Sequence, residues 1–267
     1  MFDFFGALIP FLMVHIIFDF YLQPNKWVKA KKKYTYRSTE LYFHSLLHGV
    51  ALLAPAIVLG INWRSTACLV TIVAVSHFII DLWKVRATNG DKFSYFIIDQ
   101  TLHVSVLAAI AFHMTDGLTI DAVLKHDKFS DGVVVAFAYL LILKPTSIVI
   151  SGVLKKYPIS SKDTDNNGLI AGGELIGYLE RLLILTFTLV GSYSAVGFVL
   201  AAKSIFRFGE LNKSADRSMT EYVLIGSLVS VVIRTLIGTL VSVGLDVKIK
   251  SLAEIVPSKY GKGGQAF

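Results

Sequence analysis

A chain of 267 residues, 54% of them hydrophobic and only 17% charged, with the apolar residues gathered in long runs, excludes a soluble domain built on short amphipathic periods. Its one cysteine, Cys68, excludes an internal disulfide framework and any metal chemistry resting on thiolates. The net charge of +7 sits in the loops, where it suits contact with anionic membrane lipids, and nothing in its pattern points to nucleic-acid recognition.

Crossing the hydrocarbon takes about 20 largely apolar residues, and at least six stretches reach or approach that length, so the expected fold is an all-α, polytopic transmembrane helix bundle. The amino terminus, MFDFFGALIP, lacks the basic start and small-residue cleavage site of a secretory signal and reads as the beginning of the first span, about residues 4–22. A linker with Lys26, Lys29, Lys31, Lys32, Lys33 and Arg37 follows; such basic density predicts a cytoplasmic loop and an external amino terminus. The second span covers about residues 41–61, and an Asn62-Trp63-Arg64 turn leads into the third, about residues 65–83. After a loop with Lys84, Arg86 and Lys92 comes the fourth, about residues 94–114. These four make residues 1–114 one expected half of the protein.

Residues 115–156 form an outer polar segment and a fifth span, about 132–151, kinked at Lys144-Pro145, where proline removes a backbone donor. Residues 157–174 form a polar linker. The carboxyl-terminal part, residues 175–267, opens with an apolar stretch to residue 208 that is too long for one ordinary span and contains the break Gly191-Ser192-Tyr193-Ser194. A hairpin of two helices there gives eight spans; one long tilted helix gives seven. The last span, about residues 222–243, precedes a tail with Lys248, Lys250, Lys259 and Lys262. The positive-inside rule favours seven spans, because it draws this tail to the cytoplasm, whereas the depth of the buried charges favours eight.

Four pairs stand out within the first four spans: His15 with Asp19, His44 with His48, His77 with Asp81, and Asp99 with His103. Their i,i+4 spacing puts both members of a pair on one helical face. Ionisable groups in hydrocarbon cost several kcal/mol unless paired or solvated, so eight of them call for a common cause. Topology supplies a check. The pairs fall late in the first and third spans, which run inward, and early in the second and fourth, which run outward. At a rise of roughly 1.5 Å per residue all eight lie within about 15 Å of the cytoplasmic helix ends, in one layer. Five imidazoles and three carboxylates suit two ions, or one ion whose histidines are oriented by further carboxylates, with zinc, manganese or iron as the expected metal. The plainer alternative is a His/Asp hydrogen-bond network that ties helices together.

Other polar groups share this depth. Lys144, Glu180, Arg181 and, if the hairpin exists, Lys203 can cradle a phosphate or carboxylate of a lipid-like substrate; Lys144 and Lys203 can equally snorkel to the interface. Glu180 and Arg181 are adjacent and must find different partners. Gln23 and Gln100 can bond ligands or substrate, or merely cap helix ends. In the linker, Asp163, Asp165, Asn167 and Glu174 follow the spacing of a calcium-binding EF-hand loop, a pattern that an ordinary Asp/Asn/Gly-rich turn also produces.

HxxxDFxxQ at His15 to Gln23, HSLLH at His44 to His48, SHFIIDLWK, IDQTLH, and the later GYLERLLI and GFVLAAKSIFRF together resemble a bacterial integral-membrane family, domain-of-unknown-function family 3307, associated with SatD-type proteins. The resemblance extends over nearly the whole chain and implies a multi-pass protein of the bacterial inner membrane, without an established activity. The paired His/Asp pattern is also similar to membrane-bound metal-dependent hydrolases. Metal-dependent hydrolysis of a lipid-like substrate is therefore the leading expectation, with Asp81 or Asp99 taking a proton and Arg181 steadying developing negative charge. A metal-ion or proton transporter, a di-iron oxidation catalyst and a non-catalytic metal-binding protein are the alternatives. A through-path would need polar groups toward the outer face. The outer halves of the first four spans, such as FFGALIPFL and GVALLAPAIVLGI, carry no ionisable group.

Overall fold

The computed structural model describes residues 4–114, 131–157, 172–211 and 217–244. All regular structure among them is helical, and the chain gathers into two compact units, residues 1–156 and 157–267. Among the described residues six helical segments are long and apolar enough to cross a membrane: Phe4–Tyr21, Thr39–Val58, Trp63–Arg86, Phe93–His113, Gly132–Leu154 and Glu221–Val243. Many of their large apolar side chains point outward, with Ile57 77% and Val58 82% exposed, the surface expected of helices that face lipid.

In the first unit, α1 (Phe4–Ile16) continues into a π-helical turn, Ile17–Tyr21, closed by the Leu22 amide donating to the Ile17 carbonyl at 2.9 Å. Pro24 then forces extended backbone, and the basic linker, which the sequence leaves as a loop, folds as a short helix, α2 (Asn25–Tyr34). Lys26, Lys29, Lys32 and Lys33 face solvent on α2, while Trp27, Val28 and Lys31 turn inward. The second span divides into α3 (Thr39–Ala51) and α4 (Leu53–Val58), the break at Leu52 lying three residues before Pro55. Asn62 caps α5 (Trp63–Arg86) by accepting from the Ser65 amide at 3.0 Å. A short turn joins α5 to α6 (Phe93–His113). The fifth span breaks at Leu143 into α7 (Asp131–Ile142) and α8 (Lys144–Leu154), as the Lys144-Pro145 pair leads one to expect.

Two halves of this unit differ in kind. Toward one end the four spans close an apolar core around Ala7, Phe11, Leu52, Ala56, Leu69, Val73 and Leu107. Toward the other, where α2 and the α5–α6 turn lie, the buried residues are histidines and aspartates. Gly49 allows α3 and α5 to meet closely there: a Cβ at that position would lie 2.6 Å from the Val70 carbonyl oxygen.

In the second unit, α9 (Gly172–Leu189) and α10 (Tyr193–Leu211) are separate helices, packed together and joined by a turn in which Gly191 has φ +70°, the left-handed conformation that glycine takes without a steric penalty. The break at Gly191-Ser192 is thus real and the hairpin exists. α11 (Arg217–Gly244) packs on α9 and carries the last of the six long apolar segments. Of the calcium-loop residues, Asp163, Asp165 and Asn167 lie outside the described residues, as does the basic tail; Glu174 sits in the first turn of α9 and accepts from the Tyr178 hydroxyl at 2.7 Å.

Candidate metal centre

Each of the four helical pairs arrives in one buried cluster. Its hub is Asp19, carried by the π-helical turn. Asp19 Oδ1 lies 3.0 Å from His44 Nε2, 3.1 Å from His48 Nε2 and 3.6 Å from His77 Nε2. Here the π turn forms the last turn of the first span, and Asp19 stands on it. His103 and Asp81 join His77 in a second triad whose donor atoms lie within 4.8 Å of one another, as do those of Asp19, His44, His48 and His77. His15 stacks on His103 with ring centroids 5.1 Å apart, and Asp99 Oδ1 is 3.9 Å from His103 Nδ1, so all eight residues form one contiguous group.

These distances suit an ion. Tetrahedral zinc with bonds near 2.0–2.1 Å separates its donor atoms by about 3.3–3.4 Å, and the three contacts to Asp19 Oδ1 bracket that spacing. Buried polar atoms are nearly always bonded, yet among the described residues Nε2 of His77 and His103 has no hydrogen-bond partner, and Nε2 of His48 has only the Asp19 carboxylate, 3.1 Å away, beside it. His103 donates from Nδ1 to the Asp99 carbonyl at 2.9 Å, and in the neutral ring that leaves Nε2 as a lone pair. Around Asp19 the three nitrogens are those of His44, His48 and His77, of which His44 Nε2 is already engaged by Asp19 and the Gln23 amide at 3.0 Å; three imidazoles with one carboxylate are a donor set that zinc and similar divalent ions accept.

Neighbouring side chains hold this set in place. Gln100 accepts from His15 Nε2 at 3.2 Å and donates to Asp19 Oδ2 at 3.0 Å and to Asp99 Oδ2 at 3.2 Å, while the Gln23 amide lies 3.0 Å from His44 Nε2. Both glutamines therefore bond the cluster instead of capping helices. Two lysines that the sequence places among ordinary loop charges are also built into it. Lys31 of α2, 4% exposed, donates to Asp81 Oδ2 at 2.5 Å, and Lys84 donates to Asp99 Oδ2 at 2.6 Å. Only one signal marks Lys31 beforehand: in α2 it falls four residues after Trp27, on the same face. Trp27 packs edge-on against Phe43 and His44, which seats the helix over the cluster. Lys144, by contrast, is exposed and rests on the Tyr21 ring at 5.5 Å.

A chamber of about 950 Å³ opens beside this cluster, with Asp19, Asp81, Asp99 and Gln100 in its wall. On its apolar side the cluster encloses a gap of about 10 Å³, near the minimum that one water needs.

The second unit holds the remaining candidates. Lys203 contacts both carboxylate oxygens of Glu180, at 2.8 and 2.5 Å, across the hairpin. Arg234, fully buried and not among the expected site residues, donates to Glu180 Oε1 at 3.3 Å and to the Ser230 carbonyl at 2.8 Å. Arg181 turns away from Glu180 and stacks on the Tyr178 ring at 4.8 Å, as adjacent positions on a helix require.

Six apolar helical spans with a buried His/Asp centre define a polytopic helical membrane protein carrying a candidate metal site. Residues 7–128 match the family model described as a protein of unknown function, DUF3307. The match takes in α1 to α6 and every residue of the centre, whereas the GYLERLLI and GFVLAAKSIFRF motifs fall outside it, a narrower extent than they suggest on their own. No curated protein and no solved structure matches the chain.

Proposed function

We propose that this protein is a metal-dependent hydrolase of a membrane-associated substrate, with the reacting centre near the cytoplasmic face of the bacterial inner membrane. The observation that carries the reading is the convergence of three imidazoles on Asp19 beside an open chamber, with the His77 Nε2 lacking a hydrogen-bond partner among the described residues. Zinc is the metal the donor set suits best, with manganese or iron as the other candidates. Such an ion supplies Lewis acidity and activates a water at neutral pH.

The protein groups divide the remaining work. Asp19, His44, His48 and His77 hold the ion, and Gln100 fixes the Asp19 carboxylate from behind. Of the two carboxylates expected to accept a proton, Asp99 is better prepared than Asp81, because its Oδ1 is buried and makes no hydrogen bond while Oδ2 is held by Lys84. Lys31 and Lys84 take the charge-stabilising task that the sequence assigned to Arg181. α9 and α10 are read as two short crossings, which makes eight spans, and the basic linker at residues 26–37 supports an external amino terminus.

Elemental analysis of the detergent-purified full chain tests the reading: about one or two zinc, manganese or iron ions per chain are expected, and His48→Ala is expected to lose most of them while still inserting. Folded wild-type protein that holds no such metal and takes none up overturns the proposal. Hydrolysis further requires turnover that disappears in Asp99→Asn at unchanged metal content. A cysteine placed at position 30 and labelled from outside intact cells would reverse the topology.

A further inference from the structure

The charges in the chamber wall point to what it receives. Four lysines line it, Lys31, Lys32, Lys84 and Lys155, against four aspartates, Asp19, Asp81, Asp91 and Asp99. Lys31 pairs with Asp81, Lys84 with Asp99, and Lys32 with Asp91. By itself the wall is neutral. A divalent ion at Asp19 leaves it two positive charges in excess, in a partly buried cavity where uncompensated charge is costly. A phosphate monoester, which carries about −1.5 to −2 at neutral pH, supplies the opposite charge.

The donors fit as well as the total. An ammonium group has three N–H donors, and among the described residues Lys31 and Lys84 each spend one on a carboxylate. Lys31 is buried, so its two remaining donors have little water to turn to. Phosphate oxygens accept from several directions at once, which a planar carboxylate with two oxygens does less well. Phe20, Phe93, Phe96 and Ile148 add an apolar wall to the same chamber, suited to the chain of an amphiphile. We propose that the chamber binds a phosphate monoester amphiphile, its phosphate held between the metal centre, Lys31 and Lys84. The inference rests on the hydrolase reading for its ion and names the substrate class of that same site.

Calorimetry on the full chain in nanodiscs tests it, with metal content measured on each sample. Inorganic phosphate is expected to bind metal-loaded protein at least about tenfold more tightly than metal-depleted protein, and more tightly than acetate. Lys84→Gln is expected to keep its metal and lose roughly tenfold or more in phosphate affinity, the worth of a charge-assisted hydrogen bond. Because Lys31 is buried beside Asp81, Lys31→Arg, which keeps the charge, is the variant for that position; the expected loss is smaller. In discs of phosphatidylcholine doped with phosphatidic acid, inorganic phosphate should compete with the lipid. Metal-loaded protein that ignores phosphate, binds acetate equally well, or is unaffected by Lys84→Gln overturns this inference and leaves the hydrolase reading standing. Phosphate binding without competition by phosphatidic acid overturns the amphiphile and leaves a soluble phosphate ester. Protein that takes up no metal overturns both proposals.

Discussion

Glu180 in the second unit is a buried carboxylate and Asp19 in the first a half-buried one, each within a helical bundle, but they are satisfied in opposite ways. Glu180 is held by two permanent cations, Lys203 and Arg234, and both of its oxygens are engaged. Around Asp19 stand three imidazoles, and among the described residues the His77 Nε2 has no hydrogen-bond partner while those of His44 and His48 have the Asp19 carboxylate beside them. An ion pair compensates its own charge and needs nothing more; a neutral imidazole with a free lone pair compensates none and is a ligand in waiting. Burial of charge alone therefore does not mark the candidate metal centre; side chains brought together with donor capacity left over do.

Exchanging the hub carboxylates breaks this comparison most sharply. Asp19→Asn is expected to remove nearly all bound metal. Glu180→Gln is expected to leave metal content unchanged and to destabilise the bundle by about 3 kcal/mol, since it leaves the buried Arg234 and the half-buried Lys203 without their anion. Metal analysis and thermal unfolding of the same samples read both effects. Equal metal loss in the two variants would show that the second unit also serves the centre.

Next in size is Gln100, which touches three members of the cluster without being a proposed ligand. Gln100→Ala is expected to weaken zinc affinity about 10–100-fold at nearly constant stability, measured by competition with a chelator. An unchanged affinity would reduce the glutamine to packing.

The smallest effects separate two glycines at helix contacts. A Cβ at Gly49 would meet the Val70 carbonyl at 2.6 Å, while one at Gly238 would meet the Thr188 Cγ2 methyl at 2.7 Å. Backbone cannot step aside as readily as a methyl group. Gly49→Ala is therefore expected to cost about 1–3 kcal/mol and, by displacing His48, to weaken metal binding; Gly238→Ala should cost less and leave metal untouched. Thermal unfolding with and without chelator distinguishes them.

Much of the centre was legible in the sequence because its information is local. The i,i+4 spacing of His15/Asp19, His44/His48, His77/Asp81 and Asp99/His103, read with the basic linker, places eight ionisable groups at one end of four helices, and hydrocarbon leaves such groups few reasons to be there. The break at Gly191 was legible for a similar reason, since a left-handed turn favours glycine and an over-long apolar stretch must fold back. Which atoms meet was not legible. Lys31 and Lys84 look like the solvated loop charges around them, and only the seating of α2 through Trp27 turns Lys31 onto Asp81. Asp19 becomes the hub through one π turn, a widening of the helix that no spacing rule announces. Arg234, alone on an apolar helix, meets Glu180 across 54 positions of chain. Composition and periodicity set which groups enter the membrane and at what depth; rotation of each helix about its axis, decided by packing, set which of them became ion pairs and which kept a lone pair free.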